Sequence, residues 1–227
     1  MILLKITPLL YLFTLVTLSF TCSAQEDSLT FDLYNKLETN STLPCYDVFE
    51  KAMLGYSKLK DDKKIGNNNI LTIIDLSLSS NLKRMWVIDI EERIVLYNTL
   101  VSHGKNTGQE FASKFSNKTG SYKSSLGFYV TGKNYRGKHG LSLYLDGMEK
   151  GFNDNARKRA IVMHGAKYVS RTFSNKYGRI GRSYGCPAIP MESHEEIIKM
   201  LENRTCIFIY YPEIKYLNSS KLLNHAI

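Results

Sequence analysis

The chain has 227 residues, 43% of them hydrophobic, and 30 Lys and Arg against 21 Asp and Glu give a formal charge of +9. That length suits one well-cored domain and is thin for two. The basic balance favours an anionic neighbourhood such as a cell wall or lipid surface, a merely solvated basic surface being the alternative, and the absence of any recognition motif argues against nucleic acid as a partner.

At the N-terminus Lys5 is followed by the apolar run 6–20, and the small residues Ser23 and Ala24 precede the polar Gln25-Glu26-Asp27. A positive start, an apolar middle and a small-residue end predict a secretory signal peptide over 1–24, and so an exported chain of the periplasm or cell envelope. The run is short for a spanning helix; an uncleaved anchor and lipid attachment through Cys22 stay open as alternatives. No later segment is long and apolar enough to span a bilayer.

Residues 25–65 read as a helical lead. Helices are predicted over 29–37 and 44–59, the second with Pro44 near its first turn and Phe49, Met53 and Tyr56 at i, i+4 and i+7. The polar run 61–69 reads as a turn or linker. The body, 66–227, is rich in short β patterns. Strands are predicted over 70–75, 84–90 and 93–100, with Glu91-Glu92 at the tip of a hairpin between the last two. Three more fall over 127–131, 141–145 and 160–163. Ser193 is positioned to cap a helix running to Leu201, and 206–211 closes the chain with a strand.

Beyond residue 24 three cysteines remain: Cys45, Cys186 and Cys206. An odd number in an exported chain leaves at least one thiol free or paired between molecules. A Cys45–Cys206 disulfide is one option and two small buried hydrophobes the other. No CxxC spacing points to a metal, and no motif calls for a cofactor.

Cys186 is set apart by its neighbours Gly185 and Pro187. Its window reads Gly181-Arg182-Ser183-Tyr184-Gly185-Cys186-Pro187, and His164-Gly165 ends an apolar run 22 residues before the cysteine. A thiol is a useful nucleophile when a base makes its thiolate, and flanking glycines let a carbonyl approach backbone N–H donors. This pairing predicts a free thiol with a depressed pKa. His103, in Ser102-His103-Gly104, follows a strand and precedes a flexible loop, so it is a candidate for the same cleft. His139, in Lys138-His139-Gly140, has a similar setting. His194 and His225 read as ordinary surface positions, and Ser124 and Ser125 as turn formers.

With Ser102-His103-Gly104, the run 124–129, Met163-His164-Gly165 and the cysteine window, the chain resembles the L,D-transpeptidase catalytic-domain family of bacterial cell-wall enzymes, in the branch whose motif ends in Cys-Pro. The resemblance extends over roughly residues 65–212. It implies a mainly β domain, β-sandwich-like with a few flanking helices, and peptidoglycan stem peptides as substrate, with no protein partner inferred. It implies Cys186 as nucleophile, His164 as its base, the Gly165 carbonyl as orienter of the imidazole, and backbone N–H groups around Tyr184, Gly185 and Cys186 as oxyanion donors. Ser183 lies within this candidate loop. The polar residue the commoner branch carries two positions after the cysteine is Ala188 here, so Arg182 becomes the candidate for gripping a peptide carboxylate, with a structural arginine as the alternative. Transpeptidation through a thioester is the first functional reading. An L,D-carboxypeptidase or wall-trimming peptidase is the second, and a non-catalytic wall-binding protein the third.

Overall fold

A computed structural model describes residues 28–224; the expected signal peptide, Cys22 and His225 lie outside the described residues. The chain divides into two compact units, one ending at Leu37 and one running from Glu38 onward. In the first, helix α1 covers residues 28–35. Its Lys36 and Asp32 pair one helical turn apart at 2.7 Å.

The second unit is built on one eight-stranded sheet. In chain order its elements are α2 (Tyr46–Asp61), β1 (Ile70–Asp75), β2 (Met85–Asp89), β3 (Ile94–Thr99), β4 (Gly127–Gly137), β5 (Gly140–Gly147), β6 (Val162–Gly165), α3 (Arg171–Tyr177), β7 (Ala188–Ile189), α4 (His194–Leu201), β8 (Cys206–Tyr210) and α5 (Ile214–Ser219). The strand order is β3-β2-β1-β8-β4-β5-β6-β7. Every residue of β1 and β8, neighbouring strands inside the sheet, is buried. The mainly β architecture expected from the sequence is what forms. It is one curled sheet, and it is nearly closed. After β3 the chain runs on beside the opposite edge strand, where Ser102 N–H donates to the Ala188 carbonyl at 2.8 Å and Ser183 N–H to the His103 carbonyl at 3.0 Å.

The β2–β3 hairpin turns where expected. One Asp89 carboxylate oxygen accepts the N–H groups of Glu91 and Glu92, each at 3.0 Å, a local bond that makes Asp a turn former. Helix α2, expected in a separate lead, packs on β1 and β8 within the second unit. Its apolar stripe buries Val48, Phe49, Ala52, Tyr56 and Leu59. Gly55 sits where a Cβ would come within 2.1 Å of the Phe128 ring, so only glycine lets the helix lie this close. Beneath it Phe128 and Phe208, paired across β4 and β8, stack with ring centroids 4.2 Å apart. Burying one such aromatic contributes about 1.5–3 kcal/mol.

Helix α4 packs on β5 and β6, burying Ile197, Ile198 and Leu201. Ser193 stands at its N-cap but makes no capping bond. Cys45, Cys186 and Cys206 are all free. The disulfide option is therefore not realised, and Cys206 is a buried hydrophobe of β8. No described helix is long and apolar enough to cross a membrane.

Candidate active site

The two halves of the motif meet because β6 and β7 are neighbours. In their parallel register His164 lies opposite Ala188, two residues beyond Cys186. His164 and Cys186 line one cleft of about 580 Å³, together with Tyr122, His139, Arg159, Tyr168, Arg182 and Tyr184 among others. Among the described residues the lining contains no Asp or Glu. Among the described residues no group of three His, Cys, Asp or Glu side chains is placed to hold a metal ion.

His164 is buried, and its Nδ1 lies 3.0 Å from the Gly165 carbonyl. A carbonyl can only accept, so Nδ1 carries the proton and Nε2 keeps its lone pair. Burial holds the imidazole below its ordinary pKa; the bond to Gly165 works against that, and the neighbouring His139, His194 and Lys138 reinforce it. The His139 ring stacks on His164 with centroids 4.5 Å apart. It reaches there from the tip of the β4–β5 hairpin. His194, expected on the surface, is buried with its Nδ1 2.8 Å from the Met191 carbonyl.

Cys186 is half-buried. Its thiol accepts the Val162 N–H at 3.5 Å and donates to the Ala160 carbonyl at 3.8 Å. Burial pushes the thiol up; the Val162 N–H and the charges of Arg159 and Lys138 offset this only in part. The depressed pKa expected from the sequence is thus not what the site produces. The reason is physical: burial penalises the thiolate more than the Val162 N–H, Arg159 and Lys138 stabilise it.

The loop before the cysteine is braced from within. Ser183 Oγ donates to the Cys186 carbonyl at 2.6 Å and accepts the Gly185 N–H at 3.0 Å. This removes the Gly185 N–H from the expected oxyanion donors and leaves those of Tyr184 and Cys186. It also makes Ser183 a loop brace. Gly185 adopts φ +124°, and a Cβ there would sit 2.8 Å from the Lys123 carbonyl oxygen, so a side chain is excluded on both counts. Ser124 Oγ accepts the Gly104 N–H at 3.1 Å and donates to the Gly185 carbonyl at 3.3 Å, tying three loops together. That is more than the turn expected of it.

Two further expectations change. Arg182 lines the cleft, but its Nη1 donates to the carbonyls of Lys105 and Gly108, both at 2.8 Å. One nitrogen of its fork, Nη1, is thus tied to a loop, which gives the residue a structural role. His103 is not part of the cleft lining. It is buried, and Arg84 Nη2 donates to its Nδ1 at 2.8 Å. Burial above all, then the Arg84 charge, lowers its pKa to about 3.

Two arginines that the sequence analysis passed over support this floor. Arg84 is fully buried and also donates to the carbonyls of Leu78 and Val101; burial lowers its pKa to about 9. Arg159, beside the thiol, donates to the Ser116 carbonyl at 2.8 Å, the Lys123 carbonyl at 2.6 Å and the Ser125 hydroxyl. Neither stands in a sequence motif; their partners are backbone carbonyls distant in the chain.

A family model for the L,D-transpeptidase catalytic domain matches residues 39–210. No curated protein matches the chain. Among solved structures the chain is similar to an L,D-transpeptidase from Mycobacterium smegmatis, with 12% identity over 63% of this chain and 59% of that one and a TM-score of 0.39. It is also similar to the helical cell shape determining protein from Campylobacter jejuni, at 13% identity, 75% and 58% coverage and a TM-score of 0.43. An L,D-transpeptidase from Stackebrandtia nassauensis matches at 13% identity, 72% and 66% coverage and a TM-score of 0.39. The chain spans about three fifths of the length of the first two of these structures.

Proposed function

The chain belongs to the L,D-transpeptidase catalytic-domain family, and on that premise we propose that it is an exported enzyme acting on peptidoglycan stem peptides through a thioester on Cys186. The observation that carries this reading is the bond from His164 Nδ1 to the Gly165 carbonyl, which leaves Nε2 as a free base in the cleft that Cys186 also lines.

In the scheme this supports, the thiol turns from the Ala160 carbonyl toward Nε2 as substrate enters. Nε2 takes the Sγ proton while sulfur attacks the peptide carbonyl carbon. The resulting oxyanion meets backbone N–H groups of the Tyr184–Cys186 turn. The imidazolium returns its proton to the departing amine, the C–N bond breaks and a thioester remains. An acceptor amine, relieved of a proton by Nε2, then attacks the thioester, and sulfur leaves with that proton as the thiol. Gly165 accepts the Nδ1–H throughout, filling the place a carboxylate holds in other triads.

Incubation with a stem tetrapeptide tests this. Crosslinked dimers, absent with Cys186→Ala, are the expected product. Shortened monomers alone would assign the thioester to water and make the chain a carboxypeptidase. An intact tetrapeptide, with no adduct on Cys186, would remove the enzyme reading.

A further inference from the structure

Lys105 is a cation held against two tyrosines of the cleft lining, and the scheme above gives it no task. Its ammonium lies 4.4 Å from the Tyr122 ring centroid and 4.5 Å from that of Tyr184. The two rings are 4.8 Å apart and inclined at 51°, so they form an open wedge around it. Both tyrosines line the cleft, and they are 41% and 64% exposed. Tyr184 stands two residues before the candidate nucleophile.

Three observations give this wedge a purpose. The ammonium has no ion-pair partner among the described residues. The rings hold it in place without neutralising it, since a ring quadrupole attracts a cation but leaves its N–H groups free to donate. And the backbone of Lys105 is pinned on both sides: its N–H donates to the Ser183 carbonyl at 2.8 Å, and its carbonyl accepts from Arg182. A long lysine side chain ordinarily loses much rotamer freedom on binding an anion, and here part of that cost is already met within the fold. One guanidinium nitrogen of Arg182, Nη1, helps fix the loop that presents Lys105.

We propose that the Tyr122–Lys105–Tyr184 wedge binds a carboxylate of the donor peptide and so selects peptides with a free acid over their amidated counterparts. The proposal rests on the reading of Cys186 as the acylated nucleophile. It assigns to Lys105 a recognition that Ala188 has no polar side chain to supply. The ligand chemistry follows from the site: a fixed ammonium, two aromatic faces for the apolar part of a peptide, and no acidic side chain in the cleft to compete.

The test compares a stem tetrapeptide with free carboxylates and the same peptide with them amidated, on wild type, Lys105→Gln and Lys105→Arg. The readout is acylation of Cys186 by intact mass against peptide concentration. Lys105→Gln should lower kcat/KM on the free acid about 10-fold, chiefly through KM, the scale of one partly exposed charge-assisted contact. Amidation should cost wild type a similar factor, and the two losses combined should be no larger than either alone. Lys105→Arg should recover part of the loss, having charge but a different head-group shape. Wild-type kcat/KM for Lys105→Gln on the free acid, or losses that multiply, would overturn the proposal and leave Cys186 chemistry standing. If neither peptide acylates wild type, the enzyme reading fails, and calorimetric binding to Cys186→Ala decides the wedge separately. Tighter binding of the free acid, abolished by adding Lys105→Gln, supports it; equal binding of both peptides overturns it.

Discussion

Two histidines of this protein stand in the same local sequence, a histidine followed by glycine at the end of a β run, yet they sit in opposite environments. His164 walls the cleft and His103 lies beneath its floor. The difference is set by what faces Nδ1. At His164 it is a carbonyl, which fixes the proton on Nδ1 and leaves Nε2 basic. At His103 it is the guanidinium of Arg84, which forces Nδ1 to accept and places the proton on the buried Nε2. One imidazole keeps a basic nitrogen at the wall of the cleft, and the other is a neutral strut. A tripeptide motif carries no such information, because the deciding atom belongs to a residue elsewhere in the fold.

The largest expected effect separates the two in acylation. His164→Ala should lower the rate of thioester formation on a stem tetrapeptide by about 10²–10⁴-fold, the usual contribution of a general base. His103→Ala should lower it far less while reducing the urea midpoint, since it removes a strut. The reverse ranking of the two variants, measured by single-turnover mass spectrometry, would exchange their roles.

A smaller effect sharpens the contrast in stability. The folded pKa of His103 is lowered to about 3, below the ordinary value of 6.5. The unfolded chain therefore binds the extra proton first as pH falls. His103 contributes stability that is fully present above about pH 6.5 and is lost toward pH 3, at no more than about 1.4 kcal/mol per pH unit. The buried carboxyls of Asp75 and Glu149 have raised pKa values and oppose this trend, since their protonation favours the fold. The difference between wild type and His103→Gln, which keeps an acceptor for Arg84, cancels them. That difference should shrink steadily from pH 7 to pH 4; a difference independent of pH would remove His103 from the account.

The smallest effect concerns the thiol. With a neutral imidazole beside it, Cys186 should be alkylated by iodoacetamide slowly at pH 7, with a rate midpoint above that of an ordinary thiol. His164→Ala should move that midpoint little. A midpoint near or below neutrality, lost on removing His164, would show a preformed ion pair instead.

Much of the scaffold was legible in the sequence for a simple reason: strands such as 70–75 are buried throughout, so an apolar run bounded by polar residues marks them. The missed elements lack that contrast. Strand β7 has two residues, too few for any periodicity. Helix α3 exposes most of its length, although its Ser170 cap, accepting the Phe173 N–H at 3.2 Å, and Gly178 at its end were readable signals. In the cleft, Cys186 and His164 announced themselves by their neighbours. The partners of Arg84, Arg159 and Arg182 did not, because most are backbone carbonyls of other segments that only the fold brings near. His194 looked like a surface residue because nothing in the chain around it reveals that it packs against Gly165.

Where two protons sit separates the base from the strut, and nitrogen NMR of histidine-labelled protein reads those positions directly. Long-range couplings at neutral pH should show His164 with its proton on Nδ1 and His103 with its proton on Nε2, the second unchanged on acidification to pH 5. The same tautomer at both sites, or a proton on His164 Nε2, would contradict the claim that the residue facing Nδ1 separates the base from the strut.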